Sequence, residues 1–397
     1  MAPDGTLRLG VIGLGLAGSL MISALRRYPG AAIAAAADRK SELRDNFSRD
    51  FNAPAYDSAE ALVADRSVDA VYVATPHHMH RDHAVLAARH GKHVIVEKPM
   101  ALTLADCDAM IAAAREAGIA LVVGHSHSFD PNAVEIARLV ASGAYGRLAM
   151  INMWNYNDFL YRPRRPEELD TAKGGGIVYN QLPHQIDTAR LIAASRVRSV
   201  RAHTTALDPA RPTEGGCIVF LAFENGAAAS LIYSGYDHFD SDEFHSWIGE
   251  GGATKQPAHG RTRRSLAEAT RGQAEAELKS ERYGYGSPLW RAAAPAGGAH
   301  QQHFGVLIAT CERADLKPSA DGVLVYGHDG AAERPLSANA GVSGHGNVVN
   351  ELAQAIRDGG PALHDGVWGR HTLEICLAIL QSARERLEIA LQSPSSA

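Results

Sequence analysis

The chain has 397 residues, is 46% hydrophobic and carries a formal net charge of −5. That length predicts two domains, and Lys and Arg scattered among Asp and Glu leave no basic face for nucleic acid. Cys107, Cys217, Cys311 and Cys376 form no CxxC pair, which excludes a disulfide framework or thiolate metal site as an expectation and fits a reducing cytoplasm. The opening Met1-Ala2-Pro3-Asp4-Gly5 argues against a signal peptide, and no apolar run is long enough to span a bilayer.

In chain order, Leu7–Ile12 reads as a buried strand, Gly13-Leu14-Gly15-Leu16-Ala17-Gly18 as a loop, and residues 19–25 as a helix. This order is the context that a dinucleotide-binding fingerprint requires. Gly13 permits the tight turn, Gly15 lets backbone approach a pyrophosphate, and Gly18 allows close helix–strand packing. The helix N-terminus, at Leu16 and Ala17, then presents partial positive charge to the phosphates.

Ala31–Ala37 reads as a second strand ending at Asp38, twenty positions after Gly18, where a carboxylate can accept both ribose hydroxyls. Arg39 could instead hold a 2′-phosphate. A carboxylate beside a phosphate is repulsive, so NAD is expected over NADP.

Residues 68–74 form the next expected strand, ending at Thr75-Pro76, and residues 94–96 another, ending at Glu97-Lys98-Pro99. Thr103 opens a helix through Arg115, with Asp106 at capping-box spacing and Gly118 as its stop. Residues 120–124 are a further strand. Alternating strands and helices predict a parallel doubly wound sheet, which binds ligands at the carboxyl ends of its strands. Asp38, Thr75, Lys98 and His125 all fall at such ends. His77, His78, His80 and His83 invite a metal reading, but imidazoles at a helix entry also cap it or hydrogen-bond a cofactor, and no metal is expected.

After about Phe129 the pattern changes. Residues 131–139 read as a helix, and residues 148–154, 197–205, 217–223 and 227–233 as strands, with a hairpin at Glu224-Asn225-Gly226. Grouped strands predict an α+β domain with a mostly antiparallel open sheet. Residues 251–299 differ in texture and are expected as a mobile insertion, with a helix over 265–282 opened by Ser265 and Glu268. Residues 348–356 and 372–391 read as closing helices. The expected division is a dinucleotide-binding domain over 1–125 and a second domain over 126–397.

Three motifs together, Gly13 to Gly18, Glu97-Lys98-Pro99, and Gly174-Gly175-Gly176 followed by His184 and Asp187, make the chain resemble the Gfo/Idh/MocA oxidoreductase family. Gly366-Val367-Trp368-Gly369-Arg370 fits too. The resemblance implies a Rossmann domain that binds NAD through Gly13, Gly15, Leu16, Ala17, Gly18, Asp38, Arg39, Thr75, Pro76, His80, Glu97, Lys98 and His125. It also implies a large open sheet used for contacts in a homodimer or homotetramer. Lys98 and His184 would face the nicotinamide, and the Lys98-Pro99 peptide would be cis. Many relatives carry Asp four residues before the histidine, where this chain has Asn180; an amide takes up no proton at neutral pH, which shifts acid–base work toward His184 or Lys98. Residues 180–187, 234–240 and the insertion are similar to bacterial cis-dihydrodiol dehydrogenases of aromatic carboxylates, which restore a ring's aromaticity.

For that chemistry Lys98 can stabilise a developing alkoxide. His184 has an unperturbed pKa near ~6.5, suited to a general base. Asp187 lies three residues on, where it either orients the imidazole or satisfies backbone donors at the helix start. Arg162, Arg164 and Arg165, in a Pro-broken loop, are candidates to bind a substrate carboxylate through two parallel hydrogen bonds, and Asn180 completes the candidate substrate set. A sugar or inositol dehydrogenase, with an uncharged substrate, and a regulatory protein that binds the cofactor without turnover remain the alternatives.

Overall fold

The computed structural model describes residues 5–26, 28–292, 298–337 and 344–391. These divide into two compact units. One comprises 1–126, 274–294 and 341–373, and the other 127–273, 295–340 and 374–397.

The first unit holds a six-stranded parallel sheet: β1 (Leu7–Ile12), β2 (Ala31–Ala37), β3 (Ala55–Tyr56), β4 (Ala70–Val73), β5 (His93–Val96) and β6 (Leu121–Val123), in the order β3-β2-β1-β4-β5-β6. β4 is wholly buried, as expected for a central parallel strand covered on both faces. β2 is Ala-Ala-Ile-Ala-Ala-Ala-Ala, a composition that favours helix when considered alone. Pairing with β1 and β3 holds it extended, and small side chains let helices approach its faces. The helix from Leu104 is capped as anticipated: Thr103 Oγ1 accepts from Asp106 N at 3.1 Å, and Gly118 closes it at φ +64°. Beyond β6, Val123 N donates to His364 O and Val122 bridges Asp365, so a later segment covers that edge.

The second unit is built on a nine-stranded sheet. Its strands are β7 (Leu148–Tyr156), β8 (Val197–Thr205), β9 (Gly216–Phe223), β10 (Ala228–Ser234), β11 (Val306–Cys311), β12 (Ala314–Pro318), β13 (Gly322–Gly327), β14 (Gly330–Pro335) and β15 (Ile389–Ala390). They run in the order β14-β13-β12-β11-β7-β10-β9-β8-β15. Pairing is antiparallel except between β7 and β10, which are parallel. β9 alternates cleanly: Cys217, Val219, Leu221 and Phe223 point inward, while Ile218 and Phe220 are exposed. The inner residues join Ile136, Leu139, Ile186, Ile192, Ile375 and Ile379 in one core. Burial of each such side chain contributes about 1.5–3 kcal/mol. On the outer face Trp154, Ile232 and Ile218 lie in register across β7, β10 and β9. The hairpin at Asn225 forms, with Gly226 at φ +86° and Asn225 Oδ1 accepting from Ala227 N.

Three expectations are corrected. The helix over 265–282 is two helices, Arg261–Ala269 and Glu275–Tyr283, separated by residues that include Gly272. Arg261, after Gly260 at φ +64°, and not Ser265, opens the first. The insertion is therefore ordered helix over much of its length, with Pro288–Ala292 a third helical piece, and it is shared between the units: residues up to 273 belong to the second, 274–294 to the first. The final helix is Gly366–Glu385, after which the chain extends into β15. Residues 293–297 of the insertion lie outside the described residues.

Candidate active site

In the first unit, β1 ends at Gly13, whose φ of +100° suits only glycine, and a Cβ there would come within 2.7 Å of Ala74 O. A Cβ on Gly18 would collide with Gly13 O, so the helix α1 (Leu16–Leu25) packs directly on the loop. A Cβ on Gly15, by contrast, would meet nothing within 4 Å. Gly15 also caps α1 without a side-chain bond, so the first turn, with Leu16 exposed and Ala17 half-buried, presents backbone donors to open space. This cradle fits a pyrophosphate.

Asp38 stands at the end of β2. Its Oδ2 accepts from Leu14 N at 2.8 Å and its Oδ1 from Lys40 N at 2.9 Å. Arg39 is exposed, whereas Arg44 donates to the carbonyls of Asp38 and Arg39 at 2.8 and 3.0 Å. Thr75, Lys98 and His125 follow β4, β5 and β6, so the structure brings all four expected positions to the carboxyl edge of one sheet. The Lys98-Pro99 peptide is cis.

Two residues expected at the cofactor position the site instead. His80 is fully buried; its Nε2 faces Thr75 O at 2.9 Å and its Nδ1 faces Pro99 O at 3.0 Å, so it ties the end of β4 to the turn after β5. Burial pushes its pKa down, although Thr75, Glu97 and the carbonyls of Pro99 and Met100 work against this. Glu97 is also buried. It accepts from the Tyr72 hydroxyl and from Lys98 N, which fixes the backbone that carries Lys98. Pro76 leads into the short turn His77–Met79, and His83 Nδ1 lies 3.0 Å from Thr75 Oγ1. Among the described residues no group of three His, Cys, Asp or Glu could hold a metal ion.

In the second unit, Gly174 and Gly176 take φ of +83° and +78°, and a Cβ on Gly175 would come within 2.6 Å of Glu168 O. The turn delivers the helices Gly176–Asn180 and Leu182–Ala193. Asn180 Nδ2 donates to Gly174 O and Gly176 O at 2.9 and 2.8 Å, so this amide braces the glycine turn. His184 is 7% exposed, and Asp187 is fully buried on the same helix.

Around His184 the structure adds what sequence reasoning missed. The ring of His127 meets it edge-on at 4.7 Å, and Phe304 packs 4.9 Å from it. His127 Nδ1 lies 2.9 Å from the buried carboxylate of Asp130, which favours the proton on Nδ1 and the lone pair on Nε2. The i,i+3 spacing of His127 and Asp130 was a signal, but only tertiary contact places them at His184. Phe304 also approaches Tyr233, whose hydroxyl donates to Gln181 Oε1 at 2.9 Å and accepts from Asn157 Nδ2 at 2.7 Å. Asn157 in turn reaches Glu250 Oε1 at 3.2 Å. Burial works to raise the Glu250 pKa, but Arg162 first and His127 next hold it below the usual carboxylate range.

Glu250 and Asn157 line a cavity of about 250 Å³, together with Asp158, Arg162, Asp237, Asp240, Asp242, Lys255, Arg261 and Thr262. Here the three expected arginines part. Arg162 lines the cavity, but its Nε donates to Asp158 Oδ1 at 2.7 Å. Arg164 is buried, stacked 3.8 Å over the Phe159 ring and bonded to Phe159 O. Arg165 opens the short helix Pro166–Leu169, its N–H donating to Glu168 Oε2. Arg164 thus holds the loop with its guanidinium spent on Phe159, whereas Arg165 takes part through its backbone N–H. Lys255 is held by Asp240 and Asp242 at 2.6 and 2.5 Å. Arg261 is exposed at the start of its helix, and its side chain makes no hydrogen bond or ion pair among the described residues. Nothing in the sequence separated it from an ordinary solvated arginine.

Comparison with known proteins supplies the frame for this geometry. The profile of an oxidoreductase family with an NAD-binding Rossmann fold matches residues 7–125, and that of the GFO/IDH/MocA C-terminal domain matches residues 133–254. The chain is 42% identical over 386 residues to the 1-carboxy-3-chloro-3,4-dihydroxycyclohexa-1,5-diene dehydrogenase of Comamonas testosteroni, covering 96% of each. It is 31% identical over 242 residues to the myo-inositol 2-dehydrogenase of Thermotoga maritima, covering 58% of this chain and 71% of that one. A solved protein of Bordetella bronchiseptica RB50 superposes with a TM-score of 0.92 at 47% identity, over 97% of this chain and 100% of that one. The chain is an oxidoreductase with an NAD-binding Rossmann domain, and it belongs to the GFO/IDH/MocA family.

Proposed function

We propose that the protein oxidises a carboxylated aromatic cis-dihydrodiol to a catechol with NAD. The observation that carries this reading is likeness along 96% of the chain to a dehydrogenase of that substrate class, against 58% to the inositol enzyme. Retention of Lys98 and His184 weighs against a protein that only binds the cofactor.

The cofactor's residues are Gly13, Gly15, Leu16, Ala17, Gly18 and Asp38. A nicotinamide bound there would supply a hydride acceptor for the carbinol carbon. His184 takes the hydroxyl proton. Its Nδ1 is buried, so Nε2 is the atom assigned to receive it. Lys98 Nζ, at the end of β5, supplies positive charge for the developing alkoxide. His127, fixed by Asp130, and Phe304 hold the His184 ring in place. The resulting ketone then tautomerises, losing the proton on the adjacent carbinol carbon and gaining one on the ketone oxygen, which gives the catechol and makes the oxidation strongly downhill.

The anchor for the carboxylate is reassigned. Arg162 is already neutralised by Asp158, so Arg261 is the cavity's cation for an incoming anion. Arg261→Gln should raise the Michaelis constant of the carboxylated diol about ten-fold and leave that of its decarboxylated analogue unchanged. Equal effects on both substrates would remove Arg261 from this role.

NAD is favoured over NADP because Asp38 presents a carboxylate where a 2′-phosphate would sit, and Lys40 and Arg44 already have partners. The test of the whole reading is a rate comparison, followed at NADH absorbance, of a carboxylated cis-dihydrodiol, its decarboxylated analogue and myo-inositol, each with NAD and NADP. The carboxylated diol with NAD should be oxidised most efficiently. Faster oxidation of inositol would replace this function with a polyol dehydrogenase, and a preference for NADP would make Arg39 the dominant group.

A further inference from the structure

The second half of the insertion reaches the glycine loop, and both belong to the first unit. Tyr285 N donates to Leu14 O at 3.1 Å. Ser19 Oγ, on α1, donates to Tyr283 O at 3.4 Å. Lys40, two residues beyond Asp38, donates from Nζ to Ser280 Oγ at 2.6 Å. These contacts tie the segment to the loop, to the helix that follows it and to the acid's own turn.

Tyr285 anchors the segment. It is fully buried, with its ring 6.1 Å from Phe47, 6.3 Å from Phe51 and 4.9 Å from Trp290. Its hydroxyl donates to Asp50 Oδ2 at 3.1 Å, and Arg291 reaches the same oxygen at 2.7 Å. Gly286, at φ +71°, lies so close to Asn46 that a Cβ would come within 2.9 Å of it. Phe47, Phe51, Asp50 and Asn46 all belong to or flank the helix α2 (Ser41–Phe51), which starts just after Asp38.

Leu14 is the joint of this arrangement. Its N–H donates to Asp38 Oδ2 and its carbonyl accepts from Tyr285 N, so one buried residue between two loop glycines links the acid to the insertion. With the peptide on each side of Leu14 held by one bond, the residue cannot turn about its own backbone without breaking one of them. The conformation of the turn and the direction of the Asp38 carboxylate are therefore set partly from outside the sheet.

We propose that residues 275–291 form a strap that fixes the glycine loop and Asp38 for the adenosine half of the dinucleotide, with Tyr285 as its positioning residue. This rests on the reading of Gly13 to Gly18 and Asp38 as the dinucleotide site. By linkage, binding of the ligand and seating of the strap favour each other.

The test is titration of the intact protein with NADH, ADP-ribose and reduced nicotinamide mononucleotide, for the wild type, Tyr285→Ala, Tyr285→Phe and Ser280→Ala. Tyr285→Ala should weaken NADH and ADP-ribose by the same factor, about ten-fold, because the lost coupling acts at the adenosine end. Affinity for the mononucleotide should not change. Tyr285→Phe keeps the ring and should bind much as the wild type does, while Ser280→Ala should give a loss smaller than Tyr285→Ala. Trypsin should cut at exposed Arg282 more slowly when NADH is present. Unchanged NADH and ADP-ribose affinity in folded Tyr285→Ala protein overturns the strap. If that variant does not fold, Gly286→Val, which pushes the segment off α2, takes its place under the same criterion. A wild type that binds NADPH and not NADH contradicts the cofactor reading; the same variants titrated with NADPH then decide the strap.

Discussion

His184→Ala should lower kcat for the dihydrodiol by about 10²- to 10⁴-fold, the range in which a positioned general base acts. NAD affinity should change little, because the groups assigned to the dinucleotide are Gly13 to Gly18 and Asp38, none of which the substitution alters. The ring is enclosed by His127 and Phe304, so alanine also leaves a gap between two aromatic neighbours. His184→Gln separates the two effects: it refills much of the volume but offers no basic nitrogen at neutral pH. If both variants lose turnover equally, the proton is what matters. If glutamine restores near-normal rates, His184 packs and does not act as a base.

Lys98→Met should lower turnover by about 10²- to 10³-fold, the loss that follows removal of one group stabilising an oxyanion. Methionine has similar length and no charge, so the change tests charge more than shape. The backbone should survive, since Lys98 N donates to Glu97 and the supporting contacts run through Tyr72 and His80. NADH should therefore still bind, as a fluorescence titration would report. Near-normal turnover in Lys98→Met would make Lys98 structural and remove the electrostatic part of the proposed mechanism.

The two effects differ in what they demand of pH. A base acts only when its nitrogen is unprotonated, whereas an ammonium serves at every pH below its own titration. Residual activity in Lys98→Met should keep the acid limb of the wild-type pH profile. That limb should vanish from residual activity in His184→Ala.

The sequence by itself determined the parts of this protein that depend on local chemistry. Gly13, Gly18, Gly174 and Gly176 were legible because positive φ or a collision at Cβ admits no other residue. Thr103 and Gly118 marked the ends of a helix because their side chain and backbone satisfy its unpaired groups nearby. β9 was legible as a strand, although its uniformly apolar residues 217–223 did not show which face is buried, and Asp38 followed from its spacing after the glycines. Tertiary structure alone decided which polar groups were already engaged. Arg162, Arg164 and Arg165 are equivalent in sequence, yet one pairs with Asp158, one stacks on Phe159 and one opens a helix. His80 and Glu97 were themselves expected at the cofactor but turn into the protein, and His127 reaches His184 from 57 positions away (184 − 127). The insertion looked like one mobile excursion because its composition is polar and its helices are short. Its second half is held by Tyr285 buried against α2, a backbone bond to Leu14 and the bonds of Lys40, Ser19 and Asp50, contacts between residues more than two hundred positions apart that no local pattern encodes.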